Sequence, residues 1–525
     1  MTTIQSGAGR ISLAVISGLM LVAAHPPIGV GLMAWFAFVP FFFAIDGVSV
    51  RVAALLGCIS GFVFYLGDVY WVVNSMYYYG HVPLWTSVPV MALLAAYLAL
   101  YTGAFAWLVS TVGKGRPLSS LFLIPALWVS LEYLRANMFF LSFPWSLLGY
   151  TQFNWTHIIQ VVDVTGVYGL SYLVMMVNVA LCRWVGLKVE RHGQKPFIET
   201  GVAAILLVLT VIYGFFAIDK VDEVLSRVSP VKVSVAQGAI DQGVKWDASH
   251  RMNTVDIYRE LSGKAATQGA SLIIWPESAM PFFLGQEVKE TAEETRRALG
   301  AAKETNTYVL TGAPAYNYNF KTRETSYFNS AYLLSPDGAL IGRYDKVHLV
   351  PFGEYVPMKN VLWFVKKLTV GAGDFVSGEG AYPIAGFPQG SLGVLICYEA
   401  IFPEIASEAV RNGASILVNI TNDAWFGRSS APYQHLEMSA LRAVENRRFL
   451  LRSANTGISA IVDPAGRIKA RTGLFEKTVL TGEAVFIKER LTFYTIYGDV
   501  FAYGCVAFGV AGAAIAFGLQ RRRAA

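Results

Sequence analysis

Three short β-type runs in this chain end on side chains that could do acyl chemistry. Gly393-Val-Leu-Ile-Cys-Tyr-Glu399 closes an apolar run on Cys397 with an acid just beyond it. Ser271-Leu-Ile-Ile-Trp-Pro-Glu277 is broken by a proline, which sets Glu277 at the end of a strand. Tyr344-Asp-Lys-Val-His-Leu-Val-Pro-Phe-Gly-Glu-Tyr-Val-Pro357 begins as a strand, then turns through Pro351 and Gly353, bringing Lys346 and Glu354 to a similar place. A lone cysteine in an apolar run is ordinarily a small buried hydrophobe, and a lone glutamate at a strand end ordinarily makes a surface ion pair. A thiol, an acid and an amine on three strand ends read as one site.

The chemistry such a set supports is nucleophilic. A thiol of ordinary pKa, about 8.5, is mostly protonated near neutrality and needs a base or a nearby cation to react. Glu277 can take that proton and later return it to a leaving group, or remove one from an incoming amine. Lys346 can favour the thiolate and face the oxyanion of a tetrahedral intermediate, a role typically worth about 3 kcal/mol of barrier. Glu354 and Glu399 read as supporting acids that orient and balance the lysine. Of the four cysteines, Cys58, Cys182 and Cys505 fall in or at the edge of long apolar segments, which leaves Cys397 without a soluble disulfide partner.

The elements that must carry these strand ends are of two kinds. With 525 residues, 15% of them charged, and a mean hydropathy of +0.46, the chain reads as an integral membrane protein. The net charge of +6 is modest and clustered at segment ends, which argues for membrane topology and against nucleic acid as a partner. Eight apolar segments predict transmembrane helices: about 11–24, 28–45, 52–73, 85–112, 117–133, 164–181, 200–218 and 500–519. The first is read as a retained anchor, since His25-Pro-Pro leads directly into the second. Alternate connections carry Arg51, then Lys114 and Arg116, then Arg183, Lys188, Arg191 and Lys195, and the tail ends in Arg521-Arg522-Arg523. By the positive-inside rule these lie in the cytoplasm, which puts the long segment between helices seven and eight outside, in the periplasm of a bacterium.

The resulting organisation is residues 1–219 as seven helices, 220–490 as a catalytic domain, and 491–525 as an eighth helix with a basic tail. Within 220–490, β-rich runs such as 231–237, 271–275 and 450–462, each read as one strand, alternate with amphipathic stretches such as 250–266 and 433–448, which predicts layered α/β architecture. Two outer loops, Asn74 to His81 and Phe143 to Tyr150, are aromatic and fit interfacial belts. Glu132 and Arg135 are spaced for a local ion pair, and like Asp68 they are ionisable groups at membrane depth.

Glu, Lys and Cys in this chain order, on W-P-E, D-K-x-x-L-V-P-F-G-E-Y-x-P and C-Y-E, resemble the nitrilase superfamily, and the helices and the long lysine motif resemble its apolipoprotein N-acyltransferase branch. Gln242-Gly-Val-Lys-Trp-Asp247, Asn422-Asp-Ala-Trp-Phe-Gly427 and Arg442-Ala-Val-Glu-Asn-Arg447 extend the likeness. The resemblance implies a membrane α-helical bundle joined to an αββα sandwich on the outer face of the inner membrane. It implies transfer of a fatty acyl chain from a phospholipid, usually phosphatidylethanolamine, through a Cys397 thioester to the α-amine of a diacylglyceryl apolipoprotein. Glu277 would be the base, Lys346 the oxyanion partner, Glu354, Tyr398 and Glu399 supporting groups, and Trp145 and Trp246 substrate-handling positions. No cofactor and no metal are implied.

An apolar stretch with paired lysines, Val361 to Leu368, is further read as an interfacial flap. Two rival readings remain at this point. One is a membrane-anchored amidase or hydrolase that passes the acyl group to water. The other is a transporter or scaffold with an inert soluble domain.

Overall fold

The computed structural model describes residues 6–112, 117–190, 196–285, 289–356, 374–488 and 490–524. The stretch read as a flap lies outside the described residues. The chain divides into two units, one formed by Met1–Val73, Val82–Ile218 and Tyr497–Ala525, the other by Asn74–His81 and Asp219–Ile496.

Among the described residues six helices are long and apolar enough to cross a membrane, which marks an integral membrane protein: Gly7–Ala24, Val50–Asp68, Leu84–Val112, Val167–Gly186, Phe197–Arg227, whose last turns belong to the second unit, and Val500–Gly518. Serine hydroxyls cap two of them, Ser6 accepting from the Gly9 N–H and Ser49 from the Val52 N–H. Two of the eight expected spans look different. The second is a 3-10 turn, Gly31–Trp35, followed by a helix, Phe38–Ile45, of only 8 residues, or roughly 12 Å of rise. Gly31 sits where a Cβ would lie 2.1 Å from the Thr151 carbonyl, and Asn178 holds the turn by donating to Ala34 O at 2.8 Å and accepting from Phe38 N at 2.9 Å. The fifth is a 20-residue helix, Pro117–Ala136, that buries Glu132 and Arg135 near its end. In place of the ion pair expected between them, Arg135 donates to the carbonyls of Trp145 (2.8 Å) and Phe143 (3.3 Å), and Glu132 accepts from the Leu148 N–H (2.7 Å). Both charges thus hold one loop.

The second unit contains two sheets. Its strands are β1 (Val231–Gln237), β2 (Leu272–Ile274), β3 (Tyr308–Asn319), β4 (Glu324–Leu334), β5 (Leu340–Asp345), β6 (Ser391–Ile396), β7 (Ala414–Thr421), β8 (Leu450–Ala454), β9 (Ala460–Val462), β10 (Ile468–Arg471) and β11 (Thr478–Ala484). The orders are β11-β1-β2-β3-β4-β5 and β10-β9-β8-β7-β6. In each sheet three neighbouring strands, β1-β2-β3 in one and β6-β7-β8 in the other, run parallel, with β6 at the edge of its sheet.

Period-two alternation explains the layers. Val233, Val235, Leu272 and Ile274 join Val394, Ile396, Val418 and Leu451 in one core between the sheets. The alternate residues Ala236, Ile273 and Trp275 face the other way, onto Val255, Tyr258, Leu261 and Ala265 of helix Arg251–Thr267 and onto Ala298, Ala301 and Ala302 of helix Ala292–Thr305. Helices Pro403–Arg411 and Ala431–Asn446 accompany the second sheet. Ser453 stitches the sheets together, donating to the carbonyls of Ala236 and Ile274 at 2.9 and 3.1 Å.

The run expected as one strand from Leu450 to Val462 is two, β8 and β9, paired antiparallel around a turn. The segment Asn74–His81, expected as an outer loop of the membrane helices, belongs to the α/β unit. There Ser75 Oγ donates to Trp425 O at 2.8 Å, and the Tyr79 ring lies 5.6 Å from that of Trp425.

Candidate functional site

β6 ends at Ile396, and Cys397 opens a 3-10 turn, Cys397–Ile401, with φ at +52°. A side chain in that left-handed region costs of order 1–3 kcal/mol and persists only where neighbours fix it. Here Cys397 O meets His435 Nε2 at 3.1 Å and Asn419 Nδ2 at 3.5 Å. Glu399, fully buried, ties the same turn to the end of β5. One of its oxygens accepts from Ile396 N (2.6 Å), the other from Val347 N (2.6 Å), His348 N (3.1 Å) and Tyr344 Oη (3.0 Å). Burial pushes its carboxyl up to about 7, against the pull of Lys346 and these N–H donors.

β2 runs through Trp275-Pro276 into Glu277. Gly312 on β3 lets that turn pass, since a Cβ there would lie 2.6 Å from Ser278 N. Glu277 Oε1 accepts from Asn329 Nδ2 at 2.8 Å, and Oε2 accepts from the Asn422 backbone N–H at 2.9 Å. Lys346, one residue past β5, is 1% exposed, with Nζ 2.9 Å from Glu354 Oε2 and 3.9 Å from Glu277 Oε1. Glu354 is held in turn by Asn329 Nδ2 and Val350 N, both at 2.8 Å. Asn329 on β4 therefore bridges the two acids that flank the lysine.

The electrostatics follow from this packing. Burial pulls Lys346 down, but Glu354 and Glu277 outweigh it and hold the ammonium charged. Burial and then Glu277 push the Cys397 thiol well above its ordinary value, while Lys346 pulls it down. At rest the sulfur is thus a thiol, a weak nucleophile that needs a base at the moment of attack.

Behind the turn lies a second polar cluster. Arg452 Nη2 donates to Asp423 Oδ2 at 2.6 Å and reaches His435 Nδ1 at 3.1 Å, and Arg452 also bonds Asn419 Oδ1. Against burial, Arg452 and His435 hold Asp423 well below the usual carboxylate range. His435 Nε2 faces Cys397 O, while its Nδ1 lies 3.0 Å from Asp423 Oδ1 and 3.1 Å from Arg452 Nη2; burial and Arg452 pull the imidazole below its ordinary value, against Asp423.

The site residues expected from the sequence divide accordingly. Glu277, Lys346, Glu354, Cys397 and Glu399 come together. Tyr398 packs its ring 5.1 Å from Phe402 beside them. Trp246, half-buried, sits in the turn that also carries buried Lys245. Trp145 belongs to the helical unit, 1% exposed, with its ring 4.9 Å from Trp71. Asn329, Lys245, Asn419 and the His435–Asp423–Arg452 cluster had no assigned part. The motifs 242–247 and 422–427 pointed near two of them, whereas Asn329 stands in a strand with nothing local to mark it.

Comparisons with known proteins bear on both units. Residues 17–180 match the apolipoprotein N-acyltransferase N-terminal domain family, and residues 232–486 match the carbon-nitrogen hydrolase family. An apolipoprotein N-acyltransferase from Geobacter metallireducens is 46% identical over 509 residues, covering 96% of this chain and 95% of that one. Another, from Methylococcus capsulatus, is 35% identical over 519 residues, covering 98% and 96%. Among solved structures, an amidase of the nitrilase superfamily from Nesterenkonia AN1 is 21% identical with a TM-score of 0.38, covering 52% of this chain and 96% of its own.

Proposed function

The chain belongs to the apolipoprotein N-acyltransferase family, an acyltransferase line with a carbon-nitrogen hydrolase domain, and from that premise we propose how its residues divide the work. The observation that supports the reading is the meeting of Glu277, Lys346 and Cys397 at the ends of three strands, with the acid and the lysine both coupled electrostatically to the sulfur.

In the first half-reaction Glu277 takes the proton of the Cys397 thiol as the sulfur attacks the ester carbonyl of a phospholipid. The oxyanion that forms faces the Lys346 ammonium, which Glu354 holds in place and Glu277 helps keep charged. Collapse breaks the ester C–O bond, the proton on Glu277 passes to the departing lysophospholipid oxygen, and the acyl group stays on sulfur as a thioester. In the second half the α-amine of a diacylglyceryl cysteine attacks the thioester carbon and gives its proton to Glu277. Collapse then expels sulfur, which recovers that proton, and the acyl chain leaves as an amide. One base and one oxyanion cation serve both steps.

The partners on this reading are membrane lipid and lipoprotein, with phosphatidylethanolamine as donor. Tyr398 shapes the sulfur's surroundings, and Trp246 and Trp145 handle substrate. The proposed arrangement keeps eight membrane passes, with the catalytic domain of residues 220–490 on the periplasmic side of a bacterial inner membrane. A membrane setting makes chemical sense, because drawing an acyl chain out of a bilayer costs about 0.8 kcal/mol per CH₂.

The test supplies a phospholipid with a labelled acyl chain and a diacylglyceryl peptide bearing a free α-amine. The expected product is the labelled amide, absent with Cys397→Ala. Labelled free fatty acid with no amide would point instead to hydrolysis and overturn the acceptor assignment.

A further inference from the structure

Lys245 has no part in the steps above, yet it is placed where they happen. Its neighbours Val244 and Asp247 are exposed, while Lys245 turns inward to 2% exposure. Its Nζ donates to the Glu277 backbone carbonyl at 3.0 Å, and the charges it senses are Glu277 and Cys397. Lysine is seldom fully buried without a counter-charge. A carbonyl could be satisfied equally well by a neutral amide, so the carbonyl contact alone does not account for an ammonium here.

Charge balance does account for it. Glu277 and Glu354 contribute two negative charges and Lys346 one positive, all 8% exposed or less. That leaves one net negative charge on these three groups, and when the thiol proton passes to Glu277 the charge moves from carboxylate to sulfur; a further cation facing both keeps Glu277 ionised at rest and steadies the thiolate that forms. We infer that Lys245 is a positioning residue for the acylation step, a second buried cation that keeps Glu277 ionised as the base and steadies the thiolate formed when the proton moves. The inference rests on the reading of Glu277 as base and Cys397 as nucleophile.

The groups involved are few. Facing Lys245 are Glu277 from beyond β2 and Cys397 from beyond β6. Facing Glu277 are also Lys346 from beyond β5, the Asn329 amide from β4 and the Asn422 N–H from beyond β7. Facing Cys397 are Glu277, Lys346 and Asp423. Burial brings Lys245 down to about 8, against the pull of Glu277, so it still carries its charge at neutral pH.

The experiment follows single-turnover formation of the Cys397 thioester by the full-length purified protein. The donor is a phosphatidylethanolamine with a fluorescent acyl chain, no amine acceptor is present, and pH is varied over the range in which each variant stays folded. Lys245→Gln keeps a donor for the Glu277 carbonyl and removes the charge; Lys245→Met removes both; Lys245→Arg keeps the charge. The expected result is that the acid limb of the rate moves to higher pH by about one unit in Gln and Met, a roughly tenfold loss on that limb, and stays in place in Arg. The inference is overturned if Lys245→Gln follows the wild type, or if Lys245→Arg moves the limb as far as Lys245→Met does. Failure of the underlying reading looks different, since wild-type Cys397 would then carry no acyl group at any pH.

Discussion

In the helical unit Glu132 and Arg135 lie 4% and 2% exposed, and they make hydrogen bonds to the backbone of one loop, from Phe143 to Leu148, with Ser171 also beside Glu132. In the α/β unit Glu277, Glu354 and Lys346 are buried to a similar degree, and their bonds run mainly to one another and to Asn329. Burial of acids and bases is therefore common to both units and does not by itself mark chemistry. A charge fixed on backbone groups holds a shape, and moving its proton would unmake that shape. A charge balanced by other side chains can share a proton with a neighbouring sulfur while the backbone stays put.

Substitutions on each side can break or sharpen this contrast. The largest effect is expected at Lys346. Lys346→Met is expected to slow thioester formation about 100- to 1,000-fold, as removal of an oxyanion partner does, and to lower Tm by leaving two buried carboxylates without their cation. Stopped-flow acylation and calorimetry measure the two effects separately.

His435→Ala comes next, since it frees the Cys397 carbonyl that helps fix the strained turn. About a 10- to 100-fold fall in kcat with little change in KM is expected, because a small displacement of a nucleophile costs rate more than binding. Arg135→Met should reverse the pattern. Two carbonyls lose their donor, at about 1–3 kcal/mol, so Tm falls and KM rises while the thioester still forms at nearly the wild-type rate. A collapse of the chemical step in that variant would break the contrast.

The smallest expected effect is a slope. Glu399 is raised from 4.5 to about 7 in the folded protein, so the folded state holds this proton more tightly than the unfolded chain does. As pH rises from 4.5 towards 7 the unfolded chain ionises there first, and stability through this group falls; above 7 it changes no further. Glu399→Gln is expected to flatten that part of the Tm-against-pH curve, whatever its effect on the absolute Tm.

Much of the candidate site was legible because its residues sit at breaks in pattern. Pro276 stands between β2 and Glu277, Pro351 and Gly353 mark the turn between Lys346 and Glu354, and a polar break after an apolar run survives in one dimension. What supports them was not legible. Asn329 looks like any strand residue, and its meaning comes from two acids 52 and 25 positions away. His435 was one of seven scattered histidines, and its partners Asp423 and Cys397 O lie 12 and 38 positions off. The fold shows the same division. The β-type runs that became β1 and β2 were legible as strands, whereas the interruption of 28–45 at Gly31 depends on a close approach by Thr151. The turn between β8 and β9 was read through because Leu450 to Ala454 and Ala460 to Val462 are each fully buried and equally strand-like.

The whole account turns on whether the sulfur of residue 397 carries the acyl group. Peptide mass spectrometry of the protein purified from membranes, fed a labelled phospholipid and no acceptor, measures this directly. A labelled acyl thioester on the peptide containing Cys397, lost on adding a lipid-linked amine and absent from Cys397→Ala, is the expected result. Label on another residue, or amide formed at the wild-type rate by Cys397→Ala, would contradict it.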